Sequence, residues 1–239
     1  MEFLRLFTAV RPPEGTLDLI EKRQRALRQA IGSDAVRWVQ RANMHITLHF
    51  LGDTPAARLG DLREALSAGV ARSVRRQRAK EGADTGWSVP LWIGDIGAFP
   101  GAKRPRVIWI GVRDESGALA TLQRMLREEL SQRGFQSDPR PFRPHLTLGY
   151  TRKRTEPEAV RNLTQALVAA AEPAPRLEAR PGTDTRSPDA ASSGVRFSAT
   201  QIVLVRSVLS PSGAVYEEIQ SVSIAPASSS TSAGDSARE

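Results

Sequence analysis

His45-Ile46-Thr47-Leu48 and His145-Leu146-Thr147-Leu148 place two of the chain's three histidines in one four-residue frame, one hundred positions apart. Successive side chains of a β-strand point to opposite faces. Read as strands, both frames set a histidine and a threonine side by side on one face and two aliphatic residues on the other. A lone His-x-Thr says little, because threonine is common in strands. With residue frequencies of about 5–10% at each position, chance repetition of the frame is on the order of one in thousands. Two such strands facing one cleft offer two imidazoles and two hydroxyls to a single ligand. Imidazole has an unperturbed pKa near 6.5, so near neutrality one ring can accept a proton while the other donates one. The hydroxyls can donate to non-bridging oxygens and take up charge growing at phosphorus. The pair is a constellation for acid–base chemistry on a phosphate.

Outward from these frames, alternation predicts strands over Phe3–Val10, Val36–Val39, Met44–Leu51, Trp87–Ile96, Arg106–Val112, Pro144–Tyr150, Arg196–Leu209 and Ala214–Ile224. Helical periodicity covers Glu14–Ile31, with Leu17, Ile20, Ala26 and Leu27 as an apolar stripe ending at Gly32, and Gly117–Gln132, stopped by Gly134. A further helix is expected from the turn Gly52-Asp53-Thr54-Pro55 to about Arg78, weakened by Gly69, and another over Glu156–Ala171 with Pro157 in its first turn. Strands mixed with helices without βαβ alternation indicate an α+β fold. Residues 172–194 lack apolar periodicity and read as a flexible insertion, and 225–239 as a disordered Ser/Ala-rich tail. Residues 1–224 are expected to form one bilobal domain.

The chain has 239 residues, 40% of them hydrophobic, enough to bury a sizeable core. No stretch approaches the roughly 18 apolar residues of a membrane helix, and Met1–Leu6 lacks a signal peptide's apolar run. A cytoplasmic monomer without membrane attachment is the expectation. Zero cysteines exclude disulfides, thiol nucleophiles and cysteine-ligated zinc. The net charge of +8 rests on 30 arginines and four lysines. That excess suits a polyanionic partner, or it reflects genomic base composition.

The chain resembles the 2H phosphoesterases, and among them the bacterial and archaeal RNA 2′,3′-cyclic phosphodiesterases, also described as 2′-5′ RNA ligases. Besides the histidine frames the resemblance rests on Arg5-Leu6-Phe7, Val36-Arg37-Trp38-Val39, Phe50-Leu51-Gly52 and Phe99-Pro100. It continues through Arg104–Trp109, Arg140-Pro141-Phe142-Arg143-Pro144 and Ser207-Val208-Leu209 with Gly213 and Tyr216. It covers about residues 3–172 and 196–222. The resemblance implies a bilobal fold with two antiparallel sheets flanking a central groove and helices outside. It implies hydrolysis of an RNA-terminal 2′,3′-cyclic phosphate to a 2′-phosphate, with no metal and no cofactor, and 2′-5′ ligation as the reverse. By the same likeness His45 is the proton donor, His145 the proton acceptor, and Thr47 and Thr147 hold phosphate oxygens. Phe50 stands where the family stacks an aromatic ring on the nucleobase, although strict alternation sends it to the core side.

One position departs from the family pattern. Five residues after the second histidine the family commonly has an arginine that binds phosphate, and here that residue is Tyr150. Arg143, Arg152 and Arg154 are the nearby candidates to replace it, and Tyr150 itself offers one neutral hydrogen bond in place of a charged fork. His49 shares a strand face with His45 and Thr47, so it either borders the groove or is an exposed surface histidine. The loop Lys103-Arg104-Pro105-Arg106 either guides RNA or is simply solvated, and Trp38 and Trp109 read as core. Two alternatives to the RNA-end enzyme stand beside it: a phosphodiesterase for small cyclic nucleotide phosphates or 2′-5′ oligonucleotides, and a catalytically weakened RNA-binding module.

Overall fold

The computed structural model describes residues 1–81, 88–136, 138, 140–171, 195–210 and 213–224. The insertion 172–194, the tail 225–239 and Trp87 lie outside the described residues. In chain order the strands are β1 (Phe3–Val10), β2 (Val36–Trp38), β3 (Ile46–Pro55), β4 (Val89–Phe99), β5 (Val107–Arg113), β6 (His145–Thr151), β7 (Arg196–Ala199), β8 (Gln201–Ser210) and β9 (Gly213–Ser223). The helices are α1 (Glu14–Ile31), α2 (Leu59–Glu81), α3 (Ala118–Gln132) and α4 (Pro157–Ala171).

The strands hydrogen-bond in the order β7-β4-β5-β6-β3-β1-β8-β9, with β2 added to β6, and every pair is antiparallel. At its middle the sheet is pinched, because β3 and β6 share a single paired position, Ile46 with Leu146. The two sheets expected from the resemblance are therefore the halves of one curled sheet, hinged at the histidine frames. α1 packs on α4 and α4 on β4, while α2 packs on α3 and β9, so each half has its own helical cover. Most of the buried apolar side chains form one continuous cluster beneath the helices, including Leu6, Ile20, Ile46, Leu66, Ile110, Leu122, Leu146 and Leu204. A smaller cluster of Phe7, Ala9, Val203 and Val205 lies apart from it and packs against Tyr216.

Two sequence expectations change. Gly52–Pro55 does not start a helix: β3 continues through it, because β1 supplies partners from Leu6 opposite Gly52 to Phe3 opposite Pro55. The strand expected over Arg196–Leu209 breaks at Thr200, after which β8 leaves β4 and pairs with β1 and β9. Gly69, a weak helix former by propensity, marks the crossing of α2 over α3. A Cβ there would sit 2.8 Å from Leu126 Cδ2 and 3.0 Å from its Cα. Among the described residues no helix is long and apolar enough to cross a membrane.

Candidate active site

Ile46 and Leu146, the one pair joining β3 to β6, occupy the same position of their two frames. An antiparallel pair has a local two-fold relation, so the hinge relates one His-x-Thr frame to the other. Carrying the register one residue either way sets His45 opposite Thr147 and Thr47 opposite His145. The aliphatic members Ile46, Leu48, Leu146 and Leu148 are buried in the main core. The two histidines and two threonines, on the other face, are half-buried.

Beyond the threonines both strands bulge at the same place. On β3, Thr47 pairs with Ala9 and His49 with Thr8, which leaves Leu48 as the extra residue. On β6, Thr147 pairs with Trp109 and Gly149 with Ile108, which leaves Leu148 extra. A bulge inserts one residue and re-aims everything after it. Consequently Phe50 and Tyr150 point to the histidine face, exposed to 44% and 37%. Strict alternation fails for Phe50 for this reason. His49 is corrected by the same bulge. It is neither at the groove nor on the surface but 4% exposed, its Nε2 2.9 Å from the Gln123 carbonyl of α3.

Each candidate catalytic ring is anchored by the backbone two residues before it. His45 Nδ1 lies 2.8 Å from the Asn43 carbonyl, and His145 Nδ1 2.6 Å from the Arg143 carbonyl. A carbonyl only accepts, so the Nδ1 nitrogens carry the protons and the neutral rings leave Nε2 as the basic atom. The Thr47 hydroxyl, 3.0 Å from His45 Nε2, donates to it. Phe7 stacks on the His45 ring at 4.7 Å, and Tyr216 meets it edge-on at 5.3 Å. Phe99 meets the His145 ring edge-on at 5.2 Å, with Trp109 behind at 6.3 Å. Burial pulls the His45 pKa from 6.5 down to about 4; the Asn43 hydrogen bond opposes this, and the charges of Arg11 and His145 add to it. Burial also pushes the Tyr216 hydroxyl pKa up, against the pull of Arg37 and Arg5.

A cavity of about 450 Å³ opens on this face. His45, Thr47, Thr147, Phe50 and Tyr150 line it, as do Arg5, Arg37, Phe7, Trp38, Asn43 and Tyr216; His145 is not among the lining residues. Arg143, Arg152 and Arg154 do not line the cavity. Arg143 is exposed and contributes its carbonyl to His145, and Arg152 Nε donates to the Asp34 carbonyl at 2.9 Å. The cations at the site are instead Arg5, whose Cζ lies 5.0 Å from the Phe50 ring centre, and Arg37, 5.0 Å from that of Tyr150. Trp38 packs against the main core, as expected, and also lines the groove. Alternation in Arg5-Leu6-Phe7 puts residues 5 and 7 on one face, but only the pairing of β1 with β3 makes that face the groove's.

The model of the 2′-5′ RNA ligase superfamily matches residues 16–181, which include both frames. The chain belongs to this superfamily. It is 36% identical over 155 residues to the RNA 2′,3′-cyclic phosphodiesterase of Archaeoglobus fulgidus, covering 65% of this chain and 76% of that protein. It is 27% identical over 217 residues to the protein of that name from Methanocaldococcus jannaschii, covering 91% and 99%. Among solved structures, a Thermus thermophilus protein superposes with a TM-score of 0.62 at 24% identity, over 92% of this chain and 98% of that one. E. coli LigT complexed with 3′-AMP superposes with a TM-score of 0.60 at 21% identity, over 93% and 98%. These structural likenesses establish the shared fold.

Proposed function

We propose that this chain hydrolyses the 2′,3′-cyclic phosphate at an RNA end to a 2′-phosphate, using His45 and His145 as a general acid–base pair without a metal. The observation that supports it most is the two-fold meeting of the His-x-Thr frames at Ile46 and Leu146. In the reaction His145 takes a proton from water as the water oxygen bonds to phosphorus. The P–O3′ bond breaks, and His45 gives its proton to O3′. Thr47 and Thr147 donate hydrogen bonds to the non-bridging oxygens, where charge builds. Phe50 stacks on the terminal base. With a 5′-hydroxyl in place of the water, the same proton transfers join two RNA ends through a 2′-5′ linkage.

The donor role needs a proton that burial denies His45 in the free protein. Lowering its pKa from 6.5 to about 4 corresponds to about 3 kcal/mol. A phosphate negative charge about 4 Å away, at an effective dielectric near 20, attracts an imidazolium by about 4 kcal/mol. The attraction outweighs the penalty, so the substrate itself charges the acid. Tyr150 lacks arginine's fork, yet Arg37 over its ring keeps a cation at that position, which favours an active enzyme over a weakened RNA-binding module. The test is incubation with EDTA and an RNA ending in a 2′,3′-cyclic phosphate, followed by separation of the isomeric products. A 2′-phosphate is expected. A 3′-phosphate refutes the leaving oxygen, binding without turnover refutes the enzyme, and turnover of nucleoside 2′,3′-cyclic phosphates alone refutes the RNA end.

A further inference from the structure

Phe50 and Tyr150 stand five residues after their histidines, each turned into the groove by a bulge at the leucine of its frame. Each ring also has an arginine guanidinium on it, Arg5 on Phe50 and Arg37 on Tyr150, both 5.0 Å from ring centre to Cζ. Among the described residues neither arginine has a carboxylate partner. Arg37 is held over Tyr150 because the two stand directly opposite each other where β2 pairs with β6, with Trp38 opposite Gly149 next to them. A Cβ on Gly149 would lie 2.6 Å from Val36 Cγ1 and 3.2 Å from the Arg37 carbonyl, so this approach requires glycine. The groove thus carries two similar devices, one on each side of its hinge: an exposed aromatic ring backed by a free cation.

We propose that Tyr150, backed by Arg37, is a second nucleobase platform, so that the groove accepts a phosphodiester carrying a nucleoside on both sides of phosphorus. The proposal rests on the reading of the groove as a nucleotide phosphodiester site and assigns its second half. Tyrosine there in place of arginine exchanges a direct phosphate fork for a π-face, with the positive charge displaced to Arg37. A base is the ligand that fits, because every nucleobase has a π-face and stacking on an aromatic ring tolerates any sequence. The cation behind the ring serves the phosphate next along the chain.

The test uses two uncleavable probes: a 2′-5′-linked dimer of 3′-deoxyadenosine, and 3′-deoxyadenosine 2′-methyl phosphate, which keeps one base and the diester. Calorimetry gives the ratio of their affinities for the full chain. The proposal expects the dimer to bind at least about fivefold tighter. Tyr150→Ala should bring the ratio to within about twofold of one, and Tyr150→Phe and Tyr150→Trp should retain it. Phe50→Ala should weaken both probes together. A wild-type ratio near one overturns the proposal, as does a ratio that survives Tyr150→Ala or is lost in Tyr150→Phe. If neither probe binds, or if Phe50→Ala weakens neither, the nucleotide reading itself fails.

Discussion

Binding of a phosphodiester should draw a proton into the groove at His45. In the free protein its pKa of about 4 leaves on the order of one ring in a hundred charged at pH 6. A bound monoanion at about 4 Å offers about 4 kcal/mol, or roughly three pH units, which lifts the bound pKa to about 7. At pH 6 binding should therefore take up close to one proton at this residue. The dissociation constant of an uncleavable diester should rise nearly tenfold per pH unit between about 5 and 7, then level off. The assay is calorimetric titration of the 3′-deoxyadenosine dimer, which stays a monoanion over this range, in buffers of differing ionisation enthalpy. The slope of observed heat against buffer enthalpy counts the protons. The His45→Ala variant should take up about 0.9 fewer protons at pH 6 than the parent. Equal uptake by the two proteins would refute the claim that substrate charges a buried neutral acid.

Three other outcomes are expected. His45 has a folded pKa below its ordinary 6.5, and burial lowers that of His49 too, so the unfolded chain binds protons first as pH falls. Stability should be full above about 6.5 and decline towards pH 4, with His45 responsible for up to about 3 kcal/mol; urea unfolding of His45→Gln should show a smaller decline, and an unchanged one contradicts the assignment. Replacing His49 with Ala removes its bond to the Gln123 carbonyl and opens a cavity in the core, which should cost about 1–3 kcal/mol in unfolding free energy; a neutral effect would place the ring elsewhere. Gly149→Ala drives a methyl against Val36 and should cost about 1–3 kcal/mol by overpacking while moving Arg37 off Tyr150. Denaturant titration beside diester binding checks it, and wild-type values in both speak against the close approach of β2.

The histidine frames, the helices α1 and α3 and most strand positions are legible from period and punctuation, because each is a local property of its own residues. Gly32 and Gly134, just past the ends of α1 and α3, both take positive φ, as helix-stopping glycines should. What sequence conceals is a relation between strands. The bulges at Leu48 and Leu148 exist only because Ala9 pairs with Thr47 and Trp109 with Thr147, and no period within either strand announces them. They decide that Phe50 enters the groove and that His49 leaves it. The same holds for Arg5 and Arg37, ordinary alternating arginines until β1 and β2 are placed beside the frames. Arg143 and Arg152 attract attention by sequence proximity to His145, yet their side chains lie outside the cavity.

The most direct measurement of the central claim is single-turnover cleavage of a cyclic-phosphate-ended RNA by His45→Ala, His145→Ala and the double variant. If both imidazoles transfer protons at one phosphorus, each single change lowers the rate by about 10²–10⁴-fold, and the double change loses far less than the product of the two. Near-parental turnover in either single variant, or losses that simply multiply, would contradict a joint action of the two rings.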